Sequence, residues 1–199
     1  ALLGEHQKVN AALALGAVEA LATQIPVSAA AGRQGLGSVR WPGRLQKVEL
    51  PGGRVALLDG AHNPAGAETL RAALAQYYPG ERPALILGIL QDKDWAAMCE
   101  TLAPLASRLL LVPVKSERSA PPEALQATCQ KAAPGVPLTV CHSLGEALAG
   151  SENDPFRLVA GSLYLVGEAL ELLHVSPANG REERGLNEWG PGGGTAKSL

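Results

Sequence analysis

The stretch Val55-Ala-Leu-Leu-Asp-Gly-Ala-His-Asn-Pro64 decides the fold, because it predicts a strand, a tight turn and a helix start in direct succession. Residues 55–58 form an apolar run that is too short for a helix and typical of a buried strand. Asp59 ends the run, Asn63 can cap a helix, and Pro64 suits the first helical position. Ligands of open α/β sheets bind at such junctions, where free backbone N–H groups and a helix dipole meet.

The remainder of the chain alternates between apolar runs and amphipathic segments. This alternation predicts βαβ units, a doubly wound α/β fold and right-handed crossovers. We predict strands over 84–90, 109–114, 138–141 and 156–160, and helices over 64–78, 94–102, 122–133, 143–149 and 162–173.

A β-hairpin is predicted immediately before the decisive stretch. Residues 45–50 alternate apolar and polar side chains, Pro51-Gly-Gly53 forms a turn, and the chain returns through 54–59. The sheet is therefore expected to be mostly parallel with an antiparallel hairpin at one edge. The same pairing brings Arg44 and Asp59 together at the end of the sheet.

The organisation upstream and downstream is expected to differ from this central part. Residues 5–22 have helical periodicity, whereas 24–40 contain Pro26 and three glycines without any period and predict a linker. We expect 1–30 to be a stub of a preceding domain with its linker, 31–175 to be one α/β domain, and 176–199 to be a disordered tail.

Composition excludes several classes of protein. The net charge of −2 gives no electrostatic reason to bind nucleic acid or an anionic membrane, and no apolar run approaches the length of a membrane span. The three cysteines, Cys99, Cys129 and Cys141, lack metal-ligand spacing and are expected to be buried, reduced thiols.

Polar side chains follow four of the predicted strands. Because the carboxyl ends of parallel strands share one edge, these groups are expected to line one crevice suited to an anionic ligand. Acids and hydroxyls at helix starts also serve as caps, so each residue alone has a structural alternative. The crevice would contain Arg44, Asp59, His62, Asn63, Asp92, Lys93, Asp94, Lys115, Ser116, Arg118 and Ser162.

Three common nucleotide-binding or hydrolase motifs are missing. The chain has no GxGxxG after a strand and no GxxxxGK[ST] phosphate loop. Ser162 lies in Gly161-Ser-Leu-Tyr164 and lacks the GxSxG turn of hydrolases.

Four segments together resemble folylpolyglutamate synthase and its dihydrofolate synthase relatives in the Mur ligase superfamily. They are Arg40-Trp-Pro-Gly-Arg-Leu45, Asp59-Gly-Ala-His-Asn-Pro64, Asp92-Lys-Asp94 and Gly161-Ser-Leu-Tyr-Leu-Val-Gly-Glu168. The resemblance implies a Rossmann-like C-terminal domain, preceded by the last helix of an ATPase domain that carries the phosphate loop, the Mg²⁺ ligands and a modified lysine.

The resemblance also implies a reaction. ATP phosphorylates a folate carboxylate, the amine of L-glutamate attacks the acyl phosphate, and phosphate leaves. Arg44 then matches an arginine that reaches the ATP phosphates, Asn10 an asparagine near the adenine, and Asp59 an acid of the nucleotide site. The positions that match residues facing the incoming amino acid are His62, Lys93 and Ser162. The resemblance also implies that Arg44 and His62 take part in catalysis.

Two rival functions remain open, namely another Mur-type ligase that extends a cell-wall precursor and a binding module that senses a nucleotide or amino acid. The expected partners are ATP, Mg²⁺, L-glutamate, folate or dihydropteroate, and the ATPase domain of the same protein. No metal site is expected in this chain, no turnover is expected without the phosphate loop, and the protein is expected to be a cytoplasmic monomer.

Overall fold

The computed structural model describes residues 2–175, so the predicted tail over 176–199 lies outside the described residues. Helices alternate with strands after the first hairpin, as the periodicity predicts. The elements are α1 (His6–Ala20), α2 (Ala29–Ser38), β1 (Gln46–Leu50), β2 (Arg54–Leu58), α3 (Pro64–Tyr77), β3 (Ala84–Leu87), α4 (Trp95–Leu102), β4 (Arg108–Leu111), α5 (Pro122–Ala132), β5 (Leu138–Val140), α6 (Leu144–Gly150), β6 (Phe156–Ala160) and α7 (Leu163–Leu172).

The six strands form one sheet in the order β1-β2-β6-β3-β4-β5. Strands β2, β6, β3, β4 and β5 pair in parallel, and only β1 pairs antiparallel, with β2. The predicted doubly wound α/β fold with an antiparallel edge hairpin is confirmed. Among residues 2–175, β6 is the last strand in sequence and yet lies between β2 and β3.

Apolar side chains cover both faces of the sheet. On one face Leu57, Leu85 and Leu158 pack against helices α3, α4 and α5. On the other face Leu58 and Ile86 belong to the cluster that packs against α6 and α7. Strands buried on both faces explain why the sequence shows continuous apolar runs instead of alternation.

The prediction of a linker over 24–40 is wrong for ten of its residues, because 29–38 form helix α2. The Ser28 hydroxyl caps this helix by accepting a hydrogen bond from the N–H of Ala31 at 3.1 Å. Gly32, Gly35 and Gly37 suggested a break, but a methyl group added at Gly35 would meet open space. An exposed glycine costs a helix only about 1 kcal/mol, and the cap and the alanines at 29–31 offset part of that cost.

Three smaller features complete the fold. The predicted strands over 84–90 and 109–114 end earlier, at Leu87 and Leu111. Cys99, Cys129 and Cys141 are buried and free, as predicted. No helix among residues 2–175 is both long enough and apolar enough to cross a membrane.

Candidate functional site

The carboxyl ends of the parallel strands form one continuous edge. The N–H of Gly161 after β6 donates to Ala61 O after β2 at 3.0 Å. The N–H of Gly88 after β3 donates to Ala160 O at 3.3 Å, so the three strand ends are tied together. The structure therefore brings the residues that follow these strands to a common edge.

Two glycines permit this close approach. A methyl group on Gly161 would lie 2.5 Å from Gly88 O, and Gly161 has a φ of +109°. A methyl group on Gly88 would lie 2.8 Å from Val112 O. Side chains at these two positions would force β6, β3 and β4 apart and widen the edge.

Asp59 joins the hairpin to the turn after β2. Its Oδ2 accepts a hydrogen bond from the N–H of Leu45 and its Oδ1 from the N–H of Ala61, both at 2.9 Å. Burial raises the pKa of Asp59, and these two bonds and the Arg44 charge oppose that rise only in part. Leu45 directly follows Arg44, so its hydrogen bond to Asp59 keeps Arg44 close to the carboxylate. The predicted hairpin pairing requires this proximity.

The Arg44 side chain is exposed and lies against Trp41, with its guanidinium carbon 6.0 Å from the ring centroid. This is a cation–π distance, and it restricts where the long side chain can go. Arg44 also lines a cleft of about 660 Å³ between α1, α2 and the segment before β1. Asn10, Trp41 and Tyr77 line the same cleft, which has the size of a small-molecule site.

Asn10 lies on the exposed surface of α1. Its amide Nδ2 donates to Gln7 Oε1 at 2.9 Å. The structure thus places Asn10 and Arg44 on one cleft, whereas Asp59 lies at the adjacent strand end and does not line it. The nucleotide-binding roles of these three residues stay predictions.

His62 is half-buried directly after the turn. Its Nδ1 lies 2.7 Å from Gly60 O, which is an acceptor only, so Nδ1 carries the proton. In the neutral ring Nε2 is then the nitrogen with a free lone pair. Asn63 caps α3 through Oδ1, which accepts from the N–H of Gly66 at 2.7 Å, as predicted.

Lys93 lies in the loop between β3 and α4, beside an ion pair. Its Nζ is 3.4 Å from Asp92 Oδ2, and Arg118 Nη2 lies 2.8 Å and 2.9 Å from the two oxygens of the same carboxylate. The Arg118 guanidinium holds the pKa of Asp92 below its ordinary value. This pair joins the loop after β3 to the loop after β4.

Ser162 is 1% exposed and caps helix α7. Its Oγ accepts a hydrogen bond from the N–H of Tyr164 at 3.2 Å. Ser162 therefore serves as a helix cap, which is the structural alternative that the sequence offered. Its hydroxyl hydrogen can still be donated to another group. The expected contact of Ser162 with an amino acid stays a prediction.

Sequence reasoning placed Asp92 and Arg118 in the predicted crevice without predicting that they pair, and it gave no role to Trp41. The aromatic ring in Trp41-Pro-Gly-Arg44 could have drawn attention, since a tryptophan three residues from an arginine can contact it. The Asp92–Arg118 pair had no sequence signal, because it depends on two loops meeting. Among residues 2–175 no three His, Cys, Asp or Glu side chains gather as metal ligands.

The chain is an α/β domain whose mostly parallel sheet carries an antiparallel hairpin at one edge and polar residues after its strands. Residues 43–163 match the family model of the Mur ligase, glutamate ligase domain, and the chain belongs to this family. It is 36% identical over 178 residues to the folylpolyglutamate synthase of Lacticaseibacillus casei, which covers 86% of this chain and 39% of that protein.

Solved structures agree with this assignment. The Mycobacterium tuberculosis folylpolyglutamate synthase complexed with ADP superposes with a TM-score of 0.76 and 29% identity, covering 88% of this chain and 42% of that chain. Escherichia coli FolC in complex with DHPP and ADP gives a TM-score of 0.69 and 27% identity, covering 83% and 38%. The chain therefore spans about two-fifths of the length of these relatives.

Proposed function

We propose that this chain is the glutamate-binding part of an ATP-dependent ligase, and that the complete protein joins L-glutamate to folate. The observation that carries the proposal is the strand order β1-β2-β6-β3, because the segments that bear Arg44, Asp59, His62, Lys93 and Ser162 adjoin these neighbouring strands. The family membership and the names of the similar proteins support the choice of glutamate and folate.

The proposed reaction has two steps. The γ-phosphoryl group of ATP passes to a folate carboxylate, which gives ADP and an acyl phosphate. The amine of L-glutamate then attacks the acyl carbon, so that an amide forms and inorganic phosphate leaves. Arg44 is the residue proposed to stabilise the charge on the transferring phosphoryl group, because its exposed, delocalised guanidinium suits phosphate oxygens.

The amino-acid site is proposed at the rim between the turn after β2 and the loop after β3. Lys93 supplies an ammonium for one carboxylate of glutamate, and the Ser162 hydroxyl supplies a hydrogen-bond donor. His62, with Nδ1 bound to Gly60 O, presents Nε2 as an acceptor for the proton that the incoming amine must lose.

The nucleotide site is proposed in the cleft that Asn10 and Arg44 line. Its volume of about 660 Å³ and its aromatic wall at Trp41 fit a nucleotide, so these residues suit ATP. The described residues do not offer a ligand cluster for Mg²⁺, and we assign the expected metal ligands to the ATPase domain.

Helix α1 is proposed to belong with that ATPase domain, and the proposed boundary near residues 30 and 31 falls in the first turn of α2. No residue of α1 is buried, and Val9 and Leu13 are 62% and 68% exposed. Apolar side chains so exposed on one helix suit a surface that another domain covers. A monomeric state and a cytoplasmic location are part of the proposal.

The experiment measures ADP formation by the complete protein while glutamate, folate and dihydropteroate are varied one at a time. We expect sustained ADP formation over many turnovers only when glutamate and a folate-type acceptor are both present, and none from this chain alone. Turnover with a cell-wall precursor and not with folate would replace the proposal by the rival ligase. Tight binding of ATP or glutamate alone to this chain, measured by calorimetry, would favour the sensor.

A further inference from the structure

The loop that carries Lys93 contains a carboxylate that competes for its charge. Asp92 precedes Lys93 directly, and the distance from Lys93 Nζ to Asp92 Oδ2 is 3.4 Å. A carboxylate so close to an ammonium can close to hydrogen-bond distance by a small rotation of either side chain. An ammonium bound to Asp92 in this way would attract a carboxylate ligand less strongly.

Arg118 already engages both oxygens of this carboxylate. Its Nη2 lies 2.9 Å from Oδ1 and 2.8 Å from Oδ2 of Asp92, and its Nε lies 3.3 Å from Oδ1. Pairing of an arginine with both carboxylate oxygens is the strongest common ion-pair geometry, and it points Asp92 towards the loop after β4. The Lys93 contact is the longest of the set and the weakest.

The two loops are also tied through their backbones, so Arg118 is not needed merely to join them. The N–H of Gln91 donates to Arg118 O at 2.8 Å, and Leu90 pairs with Ser119 in a short antiparallel bridge. The backbone of Lys93 is fixed separately by its N–H, which donates to Leu90 O at 3.1 Å. Because these backbone contacts already join the loops, the side-chain pair between Arg118 and Asp92 can have a role other than joining them.

We propose that Arg118 is a positioning residue that holds Asp92 away from Lys93 and so keeps the Lys93 ammonium available to a carboxylate of the incoming amino acid. The inference rests on the proposed function and deepens it, because it explains how a lysine with an acidic neighbour can bind an acidic substrate. Both side chains of the pair are about half exposed, so the effect is modest and depends on salt.

The test compares variants of the complete enzyme by the KM for glutamate, with the KM for ATP measured beside it. Arg118→Met keeps the aliphatic length and removes the charge, which frees Asp92 to bind Lys93. We expect the KM for glutamate to rise on the order of fivefold, the effect of an exposed ion pair, with the KM for ATP unchanged. Arg118→Lys should recover part of the loss.

The double variant separates this role from a structural one. Asp92→Asn alone should leave the KM for glutamate equal or lower, and Asp92→Asn combined with Arg118→Met should return the KM to the wild-type value. If the pair served only to join the loops, both single variants would raise the KM and the double variant would not recover. That pattern would overturn the inference.

A matched control exists in helix α3. Arg71 forms an ion pair with Glu68 at 2.7 Å and has a side-chain exposure close to that of Arg118, 51% against 53%. Arg71→Met should leave both KM values unchanged. Glutamate-dependent turnover with an unaltered KM in Arg118→Met would overturn the inference alone, whereas sustained turnover of ATP that needs no glutamate would refute the proposed function and the inference together.

Discussion

Replacement of Gly161 by alanine should strongly destabilise the domain, and the structure allows the size of the effect to be worked out. Gly161 lies between β6 and α7 with a φ of +109°, a backbone conformation that alanine adopts only with strain of about 1 to 3 kcal/mol. The added methyl carbon would also lie 2.5 Å from Gly88 O and 3.0 Å from side-chain atoms of Ile89 and Leu87.

This contact cannot be relieved by rotating a side chain, because the nearest atom belongs to the backbone of β3's end. Overpacking of a close-packed interior costs about 1 to 3 kcal/mol, and adding the backbone strain gives about 2 to 6 kcal/mol. With an m-value of about 2 kcal/mol per M urea, the unfolding midpoint should fall by roughly 1 to 3 M.

The assay is urea unfolding of the chain followed by circular dichroism, and Gly167→Ala is the matched control. Gly167 lies within α7, and a methyl group there would meet no atom within 4 Å. Its replacement should raise stability by up to about 1 kcal/mol through helix propensity. A fall of less than about 0.5 M for Gly161→Ala, at an unchanged m-value, would refute the close approach of β6 and β3.

Three further outcomes are expected. In the complete enzyme, Arg44→Ala should lower kcat about 100- to 1000-fold, since Arg44 acts on charge that develops during phosphoryl transfer, whereas Lys47→Ala should leave kcat unchanged; an unaltered kcat would remove Arg44 from the mechanism. Because burial raises the pKa of Asp59, its stabilising contribution is greatest at acid pH and is lost as the pH rises through the folded pKa. The free energy of unfolding, measured against pH, should therefore fall for the wild type relative to Asp59→Asn as the pH rises just above the ordinary pKa of aspartate. A difference between the two proteins that stays constant with pH would contradict this. A thiol reagent should modify no cysteine of the folded chain and all of them in urea, and modification without unfolding would contradict the burial of Cys99, Cys129 and Cys141.

The decisive stretch could be read from sequence because its signals are local. The apolar run before Asp59, the cap at Asn63 and the proline at 64 each depend on neighbours within a few positions, and the structure confirms strand, turn and helix start. The edge of the sheet followed from these signals, since parallel strands share their carboxyl ends.

Other features were beyond the reach of local signals. Helix α2 was missed because glycine spacing resembles a linker unless the cap at Ser28 is recognised. The Asp92–Arg118 pair joins residues 26 positions apart, and the contact of Trp41 with Arg44 depends on a side-chain direction that no periodicity encodes. The raised pKa of Asp59 likewise comes from burial, which only the assembled hairpin creates.

The position of β6 has a consequence for biosynthesis. Among residues 2–175, the strand that lies between β2 and β3 is the last strand to leave the ribosome, so the gap between these two strands stays open until β6 is synthesised. Until residues 156–160 are inserted, the unpaired backbone edges of β2 and β3 are exposed to other nascent chains, and a truncated messenger would yield a product prone to aggregation and proteolysis.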